Sequence, residues 1–219
     1  MCGRRPANFA DETVCASETG DSVLDLFARM AHLEHASVSA FETLSRELLA
    51  HGAPARLVRG ASRAAREETR HAGLMRSLAR VEGGVSHVAA VVASAPIRSL
   101  EAIAIENAVE GCVRETYGAL VAHWQSRSAD APDVREVMSE IARDETGHAA
   151  LALQIDAWAR SRLEPEARAR LDAATRAAIA GLASECEATV PREVVSGAGV
   201  PQRDTARLLL DGAKRLLWS

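Results

Sequence analysis

Cysteine and aromatic residues are scarce in this chain. The four cysteines are far apart and form no Cys-x-x-Cys pair: Cys2, Cys15, Cys112 and Cys186. This spacing excludes a zinc ribbon, a rubredoxin-type iron site and a thioredoxin motif. Aromatic residues make up 3% of the 219 residues, and valine does not alternate with polar residues as it does in half-buried strands. The sequence therefore predicts an all-α protein.

The chain also lacks a long apolar stretch and a strong excess of one charge. Its longest apolar run, around residues 88–95, is much shorter than the ~20 residues that a membrane-spanning helix needs. The formal net charge is −4 with acids and bases interspersed, which argues against nucleic acid as a partner. No signal-peptide pattern is visible, so we expect a cytoplasmic protein. The alternative is a truncated lipoprotein that is lipidated at Cys2, since Met1 precedes Cys2 and Gly3.

The most informative feature is a motif that occurs twice. Residues 67–74 read EETRHAGL and residues 144–151 read DETGHAAL, so each copy contains Glu-x-x-His, and the copies are 77 residues apart, from Glu68 to Glu145. On an α-helix, three residues rotate the side chain by ~300°, which puts this Glu and His on one face, one turn apart, where they can share a metal. A single copy is usually a solvated helix face. Two copies with matching neighbours predict two similar helical hairpins that supply two half-sites.

Apolar periodicity and the positions of the prolines predict where the helices lie. In the first of them, apolar residues recur every three or four positions from Val23 to Leu48, and no proline falls inside any predicted helix. The predicted helices are 23–51, 54–82, 98–127, 132–163, 165–189 and 202–217, with an extended link at 85–97. We divide the chain into a tail (1–20), a four-helix unit with both motifs (21–163) and a helical extension that covers it (164–219).

A pair of metals also needs carboxylates from the first and third helices at the depth of the motifs. In the first helix, Glu34 lies at the same distance from the hairpin turn as Glu68 does. In the third, Glu110 is the first choice and Glu106 an outer-shell candidate, whereas Glu115 points ~140° away from Glu110 and would need a helix irregularity to face inward. The one tyrosine, Tyr117, is a tentative catalytic residue that could hydrogen-bond a ligand or relay an electron, with a plain core position as the alternative.

This combination resembles the ferritin-like superfamily of carboxylate-bridged di-iron proteins, which includes rubrerythrins and bacterioferritins. The resemblance covers about residues 22–163. Unlike an ordinary rubrerythrin, the sequence contains no rubredoxin-like cysteine domain. It implies an all-α, ferritin-like four-helix bundle with a long crossover, extended here by C-terminal helices. The implied metal ligands are Glu34, Glu68, His71, Glu110, Glu145 and His148, of which Glu68 and Glu145 bridge the metals.

The resemblance also implies an outer shell, in which Asp144 orients His71 and Glu67 orients His148. Hard carboxylates with one imidazole per metal suit two Fe, with Mn or a mixed Fe/Mn pair as alternatives. The implied function is a non-haem di-iron oxidoreductase that activates O₂ or peroxide, with an unidentified small-molecule substrate or electron donor. A ferroxidase or iron-handling protein is the alternative, followed by a metal-free helical interaction module. The sequence leaves open whether the chain forms a homodimer.

Overall fold

The computed structural model describes residues 4–5, 21–80 and 96–218. Every regular element in these residues is helical, which confirms the all-α prediction. The α-helices are α1 (Ser22–Ala50), α2 (Ala55–Ala79), α3 (Leu100–Glu106), α4 (Thr116–Ser128), α5 (Pro132–Arg160), α6 (Pro165–Glu185), α7 (Arg192–Ala198) and α8 (Arg203–Leu216), and a π-helical segment (Asn107–Glu115) joins α3 to α4.

Helices α1 and α2 form the first hairpin, and local sequence signals set their ends. The Asp21 carboxylate accepts the backbone N–H groups of Val23 and Leu24 at 2.9 and 3.3 Å, and so caps α1. Helix α2 starts directly after Pro54 and ends earlier than predicted, at Ala79, because Arg80 adopts a left-handed conformation with φ of 54°. Most of the predicted link at 85–97 and all but two residues of the predicted tail lie outside the described residues.

The third predicted helix is not one uniform α-helix. A π-helix pairs each N–H with the carbonyl five residues back, so its turns are wider and its side chains point in other directions than α-helical periodicity predicts. The π-helical segment lies close against α5, since a Cβ added to Gly111 would be only 2.7 Å from the Cβ of Ala152. A residue with any side chain would force the two helices apart. Gly111 therefore permits the contact that positions this segment.

Two apolar layers enclose a polar layer inside the helices. One layer is built from Phe27, Met30, Met75, Met138 and Ile141, and the other from Phe41, Leu44, Leu57, Ile103 and Leu151. On α1, α2 and α5, the residues between these layers include Glu34, Glu68 and Glu145, all fully buried. Charged side chains at such positions need partners, because burying an isolated carboxylate is very unfavourable.

The C-terminal helices cover the π-helical segment and α4. Val113, Tyr117 and Val121 pack in one buried cluster with Leu182 of α6, with Cys186 directly after α6 and with Leu210 of α8. The indole N–H of Trp218 donates to the carbonyl of Cys112 at 2.9 Å, which satisfies a π-helical backbone group. The sequence did not predict α7, which contacts the start of α1 through Gly197 and Val23. Within the described residues, none of the helices has the length and apolarity required to span a bilayer.

Candidate metal centre

Six acidic and histidine side chains converge between the two apolar layers. Each is at most 3% exposed: Glu34 from α1, Glu68 and His71 from α2, Glu115 from the π-helical segment, and Glu145 and His148 from α5. The two Glu-x-x-His motifs lie mid-helix in α2 and α5, which pack against each other, so both motifs face the same interior space. Helical spacing within each motif and the pairing of the helices together build the cluster.

The first group of ligand atoms surrounds His71. Its Nδ1 lies 3.9 Å from Oε2 of Glu34, 3.8 Å from Oε2 of Glu68 and 3.6 Å from Oε1 of Glu145. One ligand atom from each of these four residues lies within 4.8 Å of the others. Three carboxylates and one imidazole at this separation could hold a metal ion.

The second group contains Glu68, Glu115 and His148, whose ligand atoms also lie within 4.8 Å of one another. Nδ1 of His148 lies 3.3 Å from Oε1 of Glu68 and 3.5 Å from Oε1 of Glu145. Glu68 thus turns one carboxylate oxygen toward each histidine. The two imidazole rings are 6.0 Å apart between centroids. The two groups are therefore adjacent and share Glu68, and each could hold a metal ion.

The Nε2 atom of each histidine hydrogen-bonds to a carboxylate of the opposite motif. Nε2 of His71 lies 3.0 Å from Oδ2 of Asp144, and Nε2 of His148 lies 3.0 Å from Oε2 of Glu67. A proton on Nε2 that is donated to these carboxylates leaves the Nδ1 lone pair directed at the cluster. The hydrogen bond from His148 lowers the pKa of Glu67, which keeps that carboxylate charged. The crossed pairing inferred from the resemblance is present in the structure.

Many polar atoms of the cluster have no hydrogen-bond partner among the described residues. Both carboxylate oxygens of Glu34, Glu68, Glu115 and Glu145, and Nδ1 of both histidines, are buried without a hydrogen-bond partner among the described residues. Leaving a buried polar atom unpaired costs about 1–3 kcal/mol, and more for a charged group. Cations bound in this cluster would provide partners for ligand atoms from all six residues. The donor set therefore fits metal ions.

Burial and mutual repulsion shift the titration of these carboxyls in the absence of metal. Burial raises the pKa of Glu115 to about 7, and burial with the nearby Glu145 charge raises that of Glu68 to about 7. Burial, with the neighbouring Glu68 and Glu145, raises the pKa of Glu34 well above its ordinary value. The metal-free cluster therefore retains protons near neutral pH, and cations would displace them.

The structure places Glu110 differently from our expectation. Its carboxylate lies 3.5 Å from Nε of Arg5 and 3.7 Å from Nε of Arg114, away from the six-residue cluster. On this helix, Glu115 is the carboxylate that lies in the buried group with Glu68 and His148. The physical reason is the π-helical segment, whose wider turns rotate Glu115 into the interior and Glu110 out of it.

Glu106 and Tyr117 also lie apart from the cluster. Glu106 pairs with Arg4 at 3.3 Å and with Arg98, which in turn binds the buried Glu47. The Tyr117 hydroxyl donates to the carbonyl of Ala206 at 3.2 Å, and burial raises the pKa of Tyr117. The structure thus puts Tyr117 against the C-terminal helices, as a core aromatic, and not beside the metal-ligand candidates.

A sequence signal for the π-helical segment does exist. Asn107 and Gly111 both have low helix propensity and stand in the middle of a long predicted helix. This signal is not specific, because Gly60, Gly73 and Gly147 lie inside uninterrupted α-helices. The burial of Arg4 beside this segment had no signal in the sequence.

Comparisons of the chain with known protein families, with curated proteins and with solved structures give no match.

Proposed function

We propose that the protein is a ferritin-like, carboxylate-bridged di-metal protein that acts as a di-iron oxidoreductase on O₂ or peroxide. The observation that carries this proposal is the set of buried, unpaired ligand atoms in two groups that share Glu68. In this proposal, α1, α2, the π-interrupted helix and α5 form the four-helix bundle. Glu34 and His71 serve one metal, Glu115 and His148 the other, with Glu68 and Glu145 between them.

The donor chemistry favours iron or manganese. Four carboxylates with two imidazoles form a hard oxygen-rich set, whereas a closed structural zinc site normally contains thiolates. The nearby Cys112 is buried and its pKa is raised to about 12 by burial, so it offers no thiolate at neutral pH. Two Fe are the proposed cofactors, with Mn or a mixed Fe/Mn pair as alternatives.

A pair of irons at this site would supply two electrons to O₂ or peroxide, one from each ion. The protein residues would contribute binding, orientation and shielding. Glu67 and Asp144 hold the proton on Nε2 of His148 and His71, which fixes the ring orientation and strengthens each Nδ1 as a ligand. Phe41 packs against His148 at 5.1 Å between ring centroids and helps to exclude water.

The test is an anaerobic Fe(II) titration of the metal-free protein, followed by addition of O₂. We expect two Fe(II) bound per chain and O₂ uptake with a change in near-ultraviolet absorption. The matched pair of variants is Glu68→Ala, in the shared position, and Glu42→Ala, on the exposed face of α1. O₂ uptake that is equal in both variants would contradict the proposed site.

Iron storage is distinguished by repeated additions of Fe(II) in air. An oxidoreductase binds two irons per chain and then stops, and its particle size stays that of a small oligomer. A storage protein continues to take up iron and elutes from a sizing column as a cage.

A further inference from the structure

Arg4 and Arg5 contact the last residue of α3 and two residues of the π-helical segment. Nε of Arg4 donates to Glu106 at 3.3 Å, and its Nη1 donates to Oδ1 of Asn107 at 3.4 Å. The backbone N–H of Arg5 donates to Oε2 of Glu110 at 3.3 Å, and its guanidinium lies 3.5 Å from the same oxygen. The two arginines thus bind the start and the first turn of the segment.

Arg4 also fills the space between this segment and α1. Its side chain is 1% exposed, and its guanidinium lies over the ring of Phe41 at 5.7 Å from the centroid. A Cβ added to Gly111 would be 3.1 Å from Nη1 of Arg4. Phe41 in turn packs against His148. Only one side chain therefore separates Arg4 from the candidate metal ligands.

Burying the Arg4 side chain in this space is energetically unfavourable. Nη2 of Arg4 is buried, and the described residues provide no hydrogen-bond partner for it. Replacing a buried ion pair by apolar groups of similar size is often neutral or stabilising. The stability of the core alone therefore does not explain Arg4.

The structure shows this segment as a π-helix, for which a regular α-helix is the ordinary alternative. As a regular α-helix it would keep Glu110 and Glu115 about 140° apart around the axis and match the i→i+4 hydrogen bonds of α3 and α4. The π-helical form is rarer and has to be stabilised by its surroundings. It presents Glu115 to the cluster and leaves Glu110 with Arg5 and Arg114. Contacts that stabilise the π-helical form therefore favour Glu115 over Glu110 as the carboxylate that faces the interior.

We propose that Arg4 and Arg5 are positioning residues that clamp Asn107–Glu115 in the π-helical form and thereby keep Glu115 beside Glu68 and His148. Their hydrogen bonds to Glu106, Asn107 and Glu110 are the clamp. For its effect on metal binding, this inference rests on the proposed di-metal site. Its effect on the backbone does not, because the clamp acts in the metal-free protein.

The backbone effect is tested by hydrogen–deuterium exchange of the metal-free full chain, read by mass spectrometry. Arg4→Met keeps the apolar stem and the volume but removes the charge and the hydrogen bonds. We expect peptides covering 107–115 to exchange ~10-fold faster in this variant, with peptides of α2 unchanged, because loss of the clamp lowers the local opening free energy. Arg207→Ala, which breaks an exposed pair with Glu187, is the control and should exchange like the wild type.

Arg4→Lys provides the conservative variant, because a lysine can still pair with Glu106. In Arg4→Lys, residues 107–115 should exchange as slowly as in the wild type. Wild-type exchange in Arg4→Met would overturn the clamp. Faster exchange throughout the chain would overturn it as well, because Arg4 would then support the fold as a whole.

The metal arm uses Mn(II) titrations of four proteins: wild type, Arg4→Met, Glu115→Gln and the double variant. We expect Arg4→Met to weaken binding of the second Mn(II) by ~10-fold. Losses of this size are typical when a residue that orients a metal ligand is replaced. Adding Arg4→Met to Glu115→Gln should then cost less than ~2-fold, since Arg4 acts on this metal only through Glu115. Independent, multiplying losses would contradict the clamp. If no protein binds Mn(II) or Fe(II), the proposed function fails, and the exchange experiment still decides the clamp.

Discussion

The stability of the metal-free protein should fall as the pH rises from 5 to 7.5, which is unusual for a protein rich in ion pairs. Glu115 carries the clearest contribution, because burial raises its pKa from 4.5 to about 7 in the folded state. A carboxyl whose folded pKa is raised stabilises the fold below its unfolded pKa, and that contribution is lost as the pH rises through the folded pKa.

The magnitude follows from the size of the shift. One pKa unit corresponds to about 1.4 kcal/mol, so most of the effect of Glu115 falls between its unfolded and folded pKa values. Between about pH 5 and about pH 7.5, Glu115 alone should cost about 2 kcal/mol of unfolding free energy. For a chain of this size, that equals a fall of about 4–8 °C in Tm. The raised pKa values of Glu68 and Glu34 act in the same direction.

The assay is urea unfolding in the presence of a chelator, followed by circular dichroism at several pH values. Glu115→Gln replaces the carboxyl by a neutral amide of the same shape, so its stability should depend less on pH, by about 2 kcal/mol over this range. Glu42→Gln, at an exposed position of α1, should follow the wild type. Bound metal should reverse the trend, because it requires deprotonated ligands. Stability that is constant or rises with pH in the metal-free wild type, or an unchanged slope in Glu115→Gln, would refute this reasoning.

Two further predictions concern the ligands and their supports. Replacing Glu68 or Glu145 by Ala should abolish paired metal binding, whereas Glu42→Ala should leave two metals per chain by elemental analysis; equal metal content in all three variants would exclude the assignment. Asp144→Asn and Glu67→Gln should each keep the helical circular dichroism but weaken metal affinity by ~10 to 100-fold, because the amide stabilises the histidine N–H less well. Unchanged affinity in both of these variants would show that the crossed carboxylates do not tune the histidines.

The sequence predicted those parts of the structure that depend on short-range patterns. Apolar spacing placed α1 within one residue of its observed start, and the prolines marked the starts of α5 and α6. The repeated Glu-x-x-His motif predicted four of the buried side chains, because an α-helix fixes the relative direction of residues three apart. Glu34 was predicted by its depth in the hairpin, and the structure places it beside His71.

The third helix could not be predicted in the same way. Residue directions there depend on the π-helical segment, and its stability comes from contacts that are distant in sequence. Gly111 packs on Ala152, Trp218 satisfies the carbonyl of Cys112, and Arg4 binds Asn107. The α-helical periodicity of 3.6 residues per turn assumes that no π-helical segment interrupts the helix. It therefore ranked Glu115 below Glu110, which was chosen for its depth in the helix.

Anomalous X-ray diffraction from crystals grown with Fe(II) or Mn(II) tests the central claim most directly. The account predicts two anomalous peaks per chain, ~3.5 to 4 Å apart, as in other paired metal sites. One peak should contact Glu34 and His71, the other Glu115 and His148, with Glu68 between them. A single peak, peaks only at surface carboxylates, or a second metal held by Glu110 in place of Glu115 would contradict it.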